Sequence, residues 1–255
     1  PGYRLTLSRF ANKKPPNRST LHHDMNNTPQ TDMDTTLDPP GTVAIVGAGT
    51  HGLEAGLYGR FLGYNVIILE RGPIGNNMRD ESDADLFVLP DQCLSPLALS
   101  AVATQHTAEN PGSSPRVHPT TVSAWIEEGL IPLSESDLLR GRIKTDHLVT
   151  RINTVPIELE NESEDASDYP PDFQLHFIDS DGAEGTLRVE AVLIATGSQC
   201  DIEFMFPMPC SYLHRIESTS PHDAAGLFGG RRQIVDIYSQ LAGREDLDLY
   251  RPPRV

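Results

Sequence analysis

One stretch limits the fold more tightly than any other. Residues 42–46 are a short, β-branched apolar run that passes directly into Gly47-Ala48-Gly49-Thr50-His51-Gly52. A strand of this composition suits a parallel sheet buried on both faces. A helical pattern follows, with Leu53, Leu57 and Phe61 on one face and Gly63 where a C-terminal cap belongs. Residues 65–69 form a second apolar run that ends in Glu70. A Gly-x-Gly-x-x-Gly string alone is weak, because glycines collect in ordinary turns. Here it sits inside a βαβ unit, with an acid roughly 20 residues past the glycines.

Each residue of that unit has a physical task. Gly47 permits the tight turn out of the strand, Gly49 lets backbone approach a pyrophosphate, and Gly52 lets the helix pack closely on the sheet. The helix N-terminus presents free N–H groups to phosphate oxygens. Glu70 is placed to accept hydrogen bonds from an adenosine ribose. The competing reading is a glycine-rich turn that binds nothing, with Glu70 a strand-end acid at the surface. His51 stands inside the loop, where the helix dipole disfavours its charged form. Its ring is expected either neutral beside the phosphates or, more simply, turned to solvent.

About 100 residues on, a second pattern appears. Residues 148–159 are strand-like, the acidic residues 160–172 read as a solvated loop, and Phe173, Leu175 and Phe177 alternate with polar neighbours. Residues 179–182 (Asp-Ser-Asp-Gly) are a hairpin turn signal, and residues 186–189 return. This small antiparallel meander runs into residues 191–195, a buried-strand pattern that stops at Thr196-Gly197.

A glycine-loop βαβ ending in Glu, a helical region, a meander and then a strand ending Ala-Thr-Gly is an order that resembles the FAD-dependent oxidoreductases of the glutathione-reductase-like superfamily. That superfamily includes pyridine-nucleotide disulfide oxidoreductases and flavin monooxygenases. Residues 70–80, 86–102 and 234–250 look like the corresponding parts of a group of bacterial members, the last like their C-terminal helix. The resemblance implies an α/β fold: a doubly wound, mainly parallel Rossmann-type sheet with a small antiparallel meander. It also implies one FAD site built from Gly47, Ala48, Gly49, His51, Gly52, Glu70 and Arg71 together with Ala195, Thr196 and Gly197, spanning residues 47–71 and 195–198. The sequence departs from that pattern after Gly197. No second Gly-x-Gly-x-x-Gly follows a strand, and the cluster Gly226, Gly229, Gly230 follows no β-branched run. The implied activity is hydride or electron transfer, with NAD(P)H as a transient reductant or a redox partner protein as the donor, on a small-molecule substrate. The alternative is a non-catalytic FAD- or nucleotide-binding module, and an NAD-dependent dehydrogenase is a third, weaker reading. No catalytic residue is indicated.

The remainder bounds partners and organisation. With 36 acidic against 20 basic residues, the net charge of -16 repels nucleic acid and anionic lipid. No run of about 18 apolar residues is present to span a membrane. Cys93, Cys200 and Cys210 form neither a disulfide framework nor a metal pattern, so no metal is expected and a reducing, cytoplasmic setting fits. Residues 1–40 read as a disordered arm: residues 1–23 hold Arg4, Arg9, Lys13, Lys14 and Arg18 without an acid, a composition that also suits a transit peptide. Residues 41–250 read as a single FAD-binding domain with the meander, residues 147–190, inserted, and residues 251–255 as a tail. Cys93 is expected to be a small buried hydrophobe, Trp125 and Ile126 core on a short helix over residues 121–128 ended by Gly129, and Arg231 and Arg232 solvated at the start of an amphipathic helix.

Overall fold

The computed structural model describes residues 36–86, 88–109, 119–157, 170–197, 201–217 and 224–251. The readings of residues 1–35, of most of the acidic loop, of Ser198 and Cys200, and of residues 252–255 lie outside the described residues. Strand β1 (Thr42–Val46) is buried from Val43 to Val46. It pairs in parallel with β2 (Asn65–Leu69) on one side and with β7 (Ala191–Ile194) on the other. Strand β3 (Ile143–Lys144) extends the sheet beyond β2, and β9 (Leu213–Arg215) extends it beyond β7. All five strands are parallel, in the order β3-β2-β1-β7-β9. This is the α/β architecture that the buried, β-branched runs require.

The meander is a separate four-stranded sheet. Strands β4 (Leu148–Val155), β5 (Asp172–Ile178) and β6 (Glu184–Val189) pair antiparallel in sequence order. The turn between β5 and β6 closes as the sequence indicates: Asp179 Oδ1 accepts from the Asp181 and Ala183 N–H groups at 2.9 Å each, and Gly182 takes φ +78°. A two-residue strand β8 (Glu203–Phe204) adds to β4 in parallel, so this sheet is mixed rather than purely antiparallel. Neither β8 nor β9 is long enough to show a period in sequence.

Helix α1 (Thr50–Phe61) crosses from β1 to β2. It is buried from Thr50 to Gly59 on every side, not along one stripe, and Phe61 at its end is 48% exposed. The cause is a second cover. Helix α2 (Pro96–Glu109) and helix α5 (Ala224–Leu241) both pack on α1, and Tyr58 stacks on Tyr238 at 5.3 Å. Helix α3 (Val122–Trp125) continues through a π-type turn (Ile126–Leu130) into α4 (Ile131–Ser134). Gly129 therefore lies within the helical path and does not end it. Trp125 and Ile126 are core, and Thr121 Oγ1 caps the start by accepting from the Ala124 N–H.

Two expectations about α5 are corrected. The glycines at 226, 229 and 230 lie inside the helix, which starts at Ala224 and not at Arg231. Arg231 is 7% exposed and ion-paired instead of solvated. Helix propensity argues against three glycines in the first two turns, and packing overrides it.

Candidate nucleotide site

The C-terminal ends of β1, β2 and β7 meet at one edge of the parallel sheet. The chain leaves β1 toward β2 through α1, and β7 enters from the opposite side, so a crevice opens where the strand order reverses. A cleft of about 410 Å³ occupies that position, with Gly47, Gly49, Glu70, Arg71, Ala195 and Thr196 in its wall. Its size is that of ordinary ligand pockets. The two sequence stretches are in contact: the Ala195 N–H donates to the Val46 carbonyl at 2.8 Å, and a Cβ on Gly47 would sit 2.9 Å from the Ala195 carbonyl oxygen.

The glycine positions differ in what they tolerate. Gly47 has φ +106°, a conformation that other residues adopt only with strain. A Cβ on Gly52 would lie 1.9 Å from the Gly47 carbonyl oxygen, so its place is fixed by backbone against backbone. At Gly49 the atom nearest to an added Cβ is the end of the Asn77 side chain, Oδ1 at 3.2 Å, and the residue lines the cleft. Gly49 is also the N-cap of α1 and supplies no side-chain cap, and the first turn carries no acid. Neither the N-cap nor the first turn thus supplies a carboxylate to the N–H groups of that turn, as an anion seat requires.

Glu70 is not a surface acid. It is 6% exposed, Oε2 accepts from the Ala48 N–H at 2.6 Å and Oε1 from the Gly72 N–H at 3.1 Å. Burial pushes its carboxyl up from the usual range, opposed by those two N–H bonds and by Arg71. The Arg71 N–H bonds the same carboxylate, and since a carboxylate offers about four acceptor sites, about one remains for a ligand hydroxyl. Among the described residues, Thr196 Oγ1 is buried in the same wall without a hydrogen-bond partner. Ala48 is buried in the turn, and its carbonyl accepts from the Gly75 N–H at 3.1 Å, folding the chain after Glu70 over the glycine loop. Gly197 (φ +65°) stands with His51 and Gly49 at a neighbouring recess of about 30 Å³.

His51 is not turned to solvent. The residue is 6% exposed, and its ring faces neither the cleft nor solvent but α5, with Nε2 at 3.4 Å from the Leu227 carbonyl oxygen. Burial is the main cause that lowers its pKa to about 4, Arg231 adding to it. Cys93 is fully buried, and burial pushes its thiol up to about 11, so it is an inert packing residue. Among the described residues no group of three His, Cys, Asp or Glu is placed to hold a metal ion. No described helix is long and apolar enough to cross a membrane.

The structure adds wall residues that no motif marked. Residues 147–150 at the start of β4, together with Asp201 and Ile202, form the far side of the cleft, and Asn77 lines both it and the recess. They come from a separate sheet and from a loop, and only the meeting of the two sheets brings them to Glu70. The His147 N–H donating to the Glu70 carbonyl at 2.8 Å fixes that meeting point.

The sequence matches no protein-family model and no curated protein. Solved structures are similar in part. A bacillithiol disulfide reductase from Bacillus cereus is 17% identical over 62% of this chain and 40% of its own, with a TM-score of 0.41. S-allyl-L-cysteine S-oxygenase from Allium sativum is 19% identical over 62% and 36%, at 0.40. The reduced form of an ornithine hydroxylase from Pseudomonas aeruginosa is 17% identical over 62% and 38%, at 0.42. The chain spans less than half the length of these proteins.

The site yields a first expected result. Gly49→Val should leave the chain folded, because the new side chain meets only the flexible end of Asn77, yet block the approach of a diphosphate to the α1 N-terminus. Circular dichroism should be unchanged, and calorimetry should detect no ADP binding. Wild-type affinity in this variant would place the diphosphate elsewhere.

Proposed function

We propose that the chain is an FAD-binding oxidoreductase that passes hydride or electrons between a donor and a small-molecule substrate. The observation that carries this reading is the convergence, in one cleft at the switch point of a parallel sheet, of an uncapped glycine-loop helix, a buried carboxylate with acceptor capacity to spare, and the Thr196 hydroxyl, which has no partner among the described residues. Those features fit a dinucleotide. The α1 N-terminus would hold the pyrophosphate, Glu70 the ribose hydroxyls of the adenosine half, and Ala195 to Gly197 the chain beyond it. Arg71 lies beside Glu70 and contributes positive charge at the cleft. When bound, the flavin supplies the redox chemistry itself. The protein binds it, orients it and limits water around it.

The later glycines belong to helix α5 and form no second phosphate loop. We therefore expect bound flavin to be reduced by dithionite but only slowly by free NADH or NADPH, with a redox partner protein restoring speed. Anaerobic bleaching of the flavin bands measures this. Rapid bleaching by micromolar NADPH would reveal a nicotinamide site in the chain itself, and flavin that resists dithionite would remove the redox role and leave the binding-module reading.

A further inference from the structure

The first two turns of α1 face two ways. Their backbone lies at the glycine loop, where Gly49, Thr50 and His51 line the recess beside the cleft. Their side chains at positions 51 and 54 point into α5, a helix about 175 residues later in the chain. The His51 ring occupies a notch that only glycine leaves open: a Cβ on Gly230 would sit 2.2 Å from Nε2 and 2.3 Å from Cδ2. Since a carbonyl oxygen only accepts, the tautomer protonated at Nε2 completes the contact with Leu227. One turn on, the Glu54 carboxylate is fully buried. It accepts from Arg231 Nη2 at 3.4 Å, from the Ser95 N–H at 2.8 Å and from Ser95 Oγ at 2.6 Å.

A loop built on Gly47, Gly49 and Gly52 has no Cβ atoms at those positions with which to fix its own orientation. Backbone bonds hold Gly47 and Ala48 to Leu69, Glu70 and Gly75, and of the two side chains that open α1, Thr50 makes a weak bond, its hydroxyl donating to Met78 Sδ at 3.6 Å. His51 ties that turn to α5. It is the residue whose backbone borders the phosphate seat and whose side chain is locked to a distant helix.

Resting on the nucleotide reading above, we infer that His51 is a positioning residue: its ring, seated between Gly230 and the Leu227 carbonyl, holds the first turn of α1 in the orientation that aims its N–H groups at a dinucleotide pyrophosphate. Docking of α5 and binding of the nucleotide are then coupled. Coupling of this kind is reciprocal, so the nucleotide must also tighten α5 on α1.

The test uses ADP and FAD as probes on the full chain, with calorimetry for affinity and hydrogen exchange for α5. Gly230→Ala drives a methyl into the ring and is expected to weaken ADP binding at least about tenfold, within the usual range of site-to-site coupling. His51→Ala is expected to weaken it severalfold. Gly230→Ala combined with His51→Ala should bind no worse than His51→Ala alone, because the clash is gone. Amide exchange across residues 224–241 should slow on ADP addition to the wild type and not in His51→Ala. A purely structural role would lower melting temperatures and leave ADP affinity and the exchange response unchanged, which overturns the inference. Losses that simply add in the double variant overturn it too, and so does an exchange response kept in His51→Ala should Gly230→Ala fail to fold. A wild type that binds neither ADP nor FAD fails at an earlier point, since the nucleotide reading itself is then wrong.

Discussion

Gly52→Ala is expected to abolish nucleotide binding and to cost about 3 kcal/mol or more of stability, at the top of the range for overpacking. Its Cβ would lie 1.9 Å from the Gly47 carbonyl oxygen and 2.9 Å from the carbonyl carbon. No side-chain rotation relieves a contact between two stretches of backbone. Either α1 moves off the sheet or the Gly47 turn opens, and both displace the α1 N-terminus from the cleft. Gly49→Ala provides the contrast, because the atom it meets is the tip of Asn77. Urea denaturation and ADP calorimetry on the two variants measure the difference. Equal, small effects at both positions would mean that the helix is not packed on the strand as closely as described.

Arg231→Met is expected to destabilise the chain by about 3–5 kcal/mol, the usual cost of leaving half of a buried pair behind. Glu54 is 0% exposed, Arg231 7%, and Arg231 Nη2 also donates to the Cys93 carbonyl at 2.9 Å. Removing the guanidinium leaves a buried carboxylate without its counter-charge, the Ser95 N–H and hydroxyl still donating to it. Combining Arg231→Met with Glu54→Gln should recover most of the loss. A neutral amide needs no counter-charge, and its oxygen still accepts from the Ser95 N–H. Urea midpoints of the single and double variants check this. A single-variant cost below about 1 kcal/mol is what an exposed pair gives and would contradict the burial.

What could be read from sequence was local. The β1 run, the glycine loop, α1, β2 and the terminal Glu70 form one continuous signal, because each element's period and each turn residue reflect their nearest neighbours. The Asp179-to-Gly182 turn was equally plain, since Asp179 caps its own backbone. The Ala-Thr-Gly strand could be placed beside β1 only through the resemblance. Nothing in its composition says which strand it joins. Legibility failed wherever a partner distant in sequence decides the outcome. Arg231 looks solvated until Glu54 is brought to it, His51 looks like a solvent-facing loop residue until Gly230 opens a notch for its ring, and three glycines look like a turn until α1 needs a close neighbour. The wall contributed by residues 147–150 was invisible for the same reason: it depends on how two sheets meet.

In the proposed FAD complex the adenosine half lies in the cleft against Glu70, and a titration of the full chain and of Glu70→Ala with FAD and with FMN checks that placement. The account predicts that the wild type binds FAD and retains the flavin spectrum through gel filtration. Glu70→Ala should lose about one to two orders of magnitude in FAD affinity, the cost of removing a charged acceptor, while its affinity for FMN, which has no adenosine, scarcely changes. A wild type that stays colourless with FAD, or a variant that loses FAD and FMN equally, would contradict it.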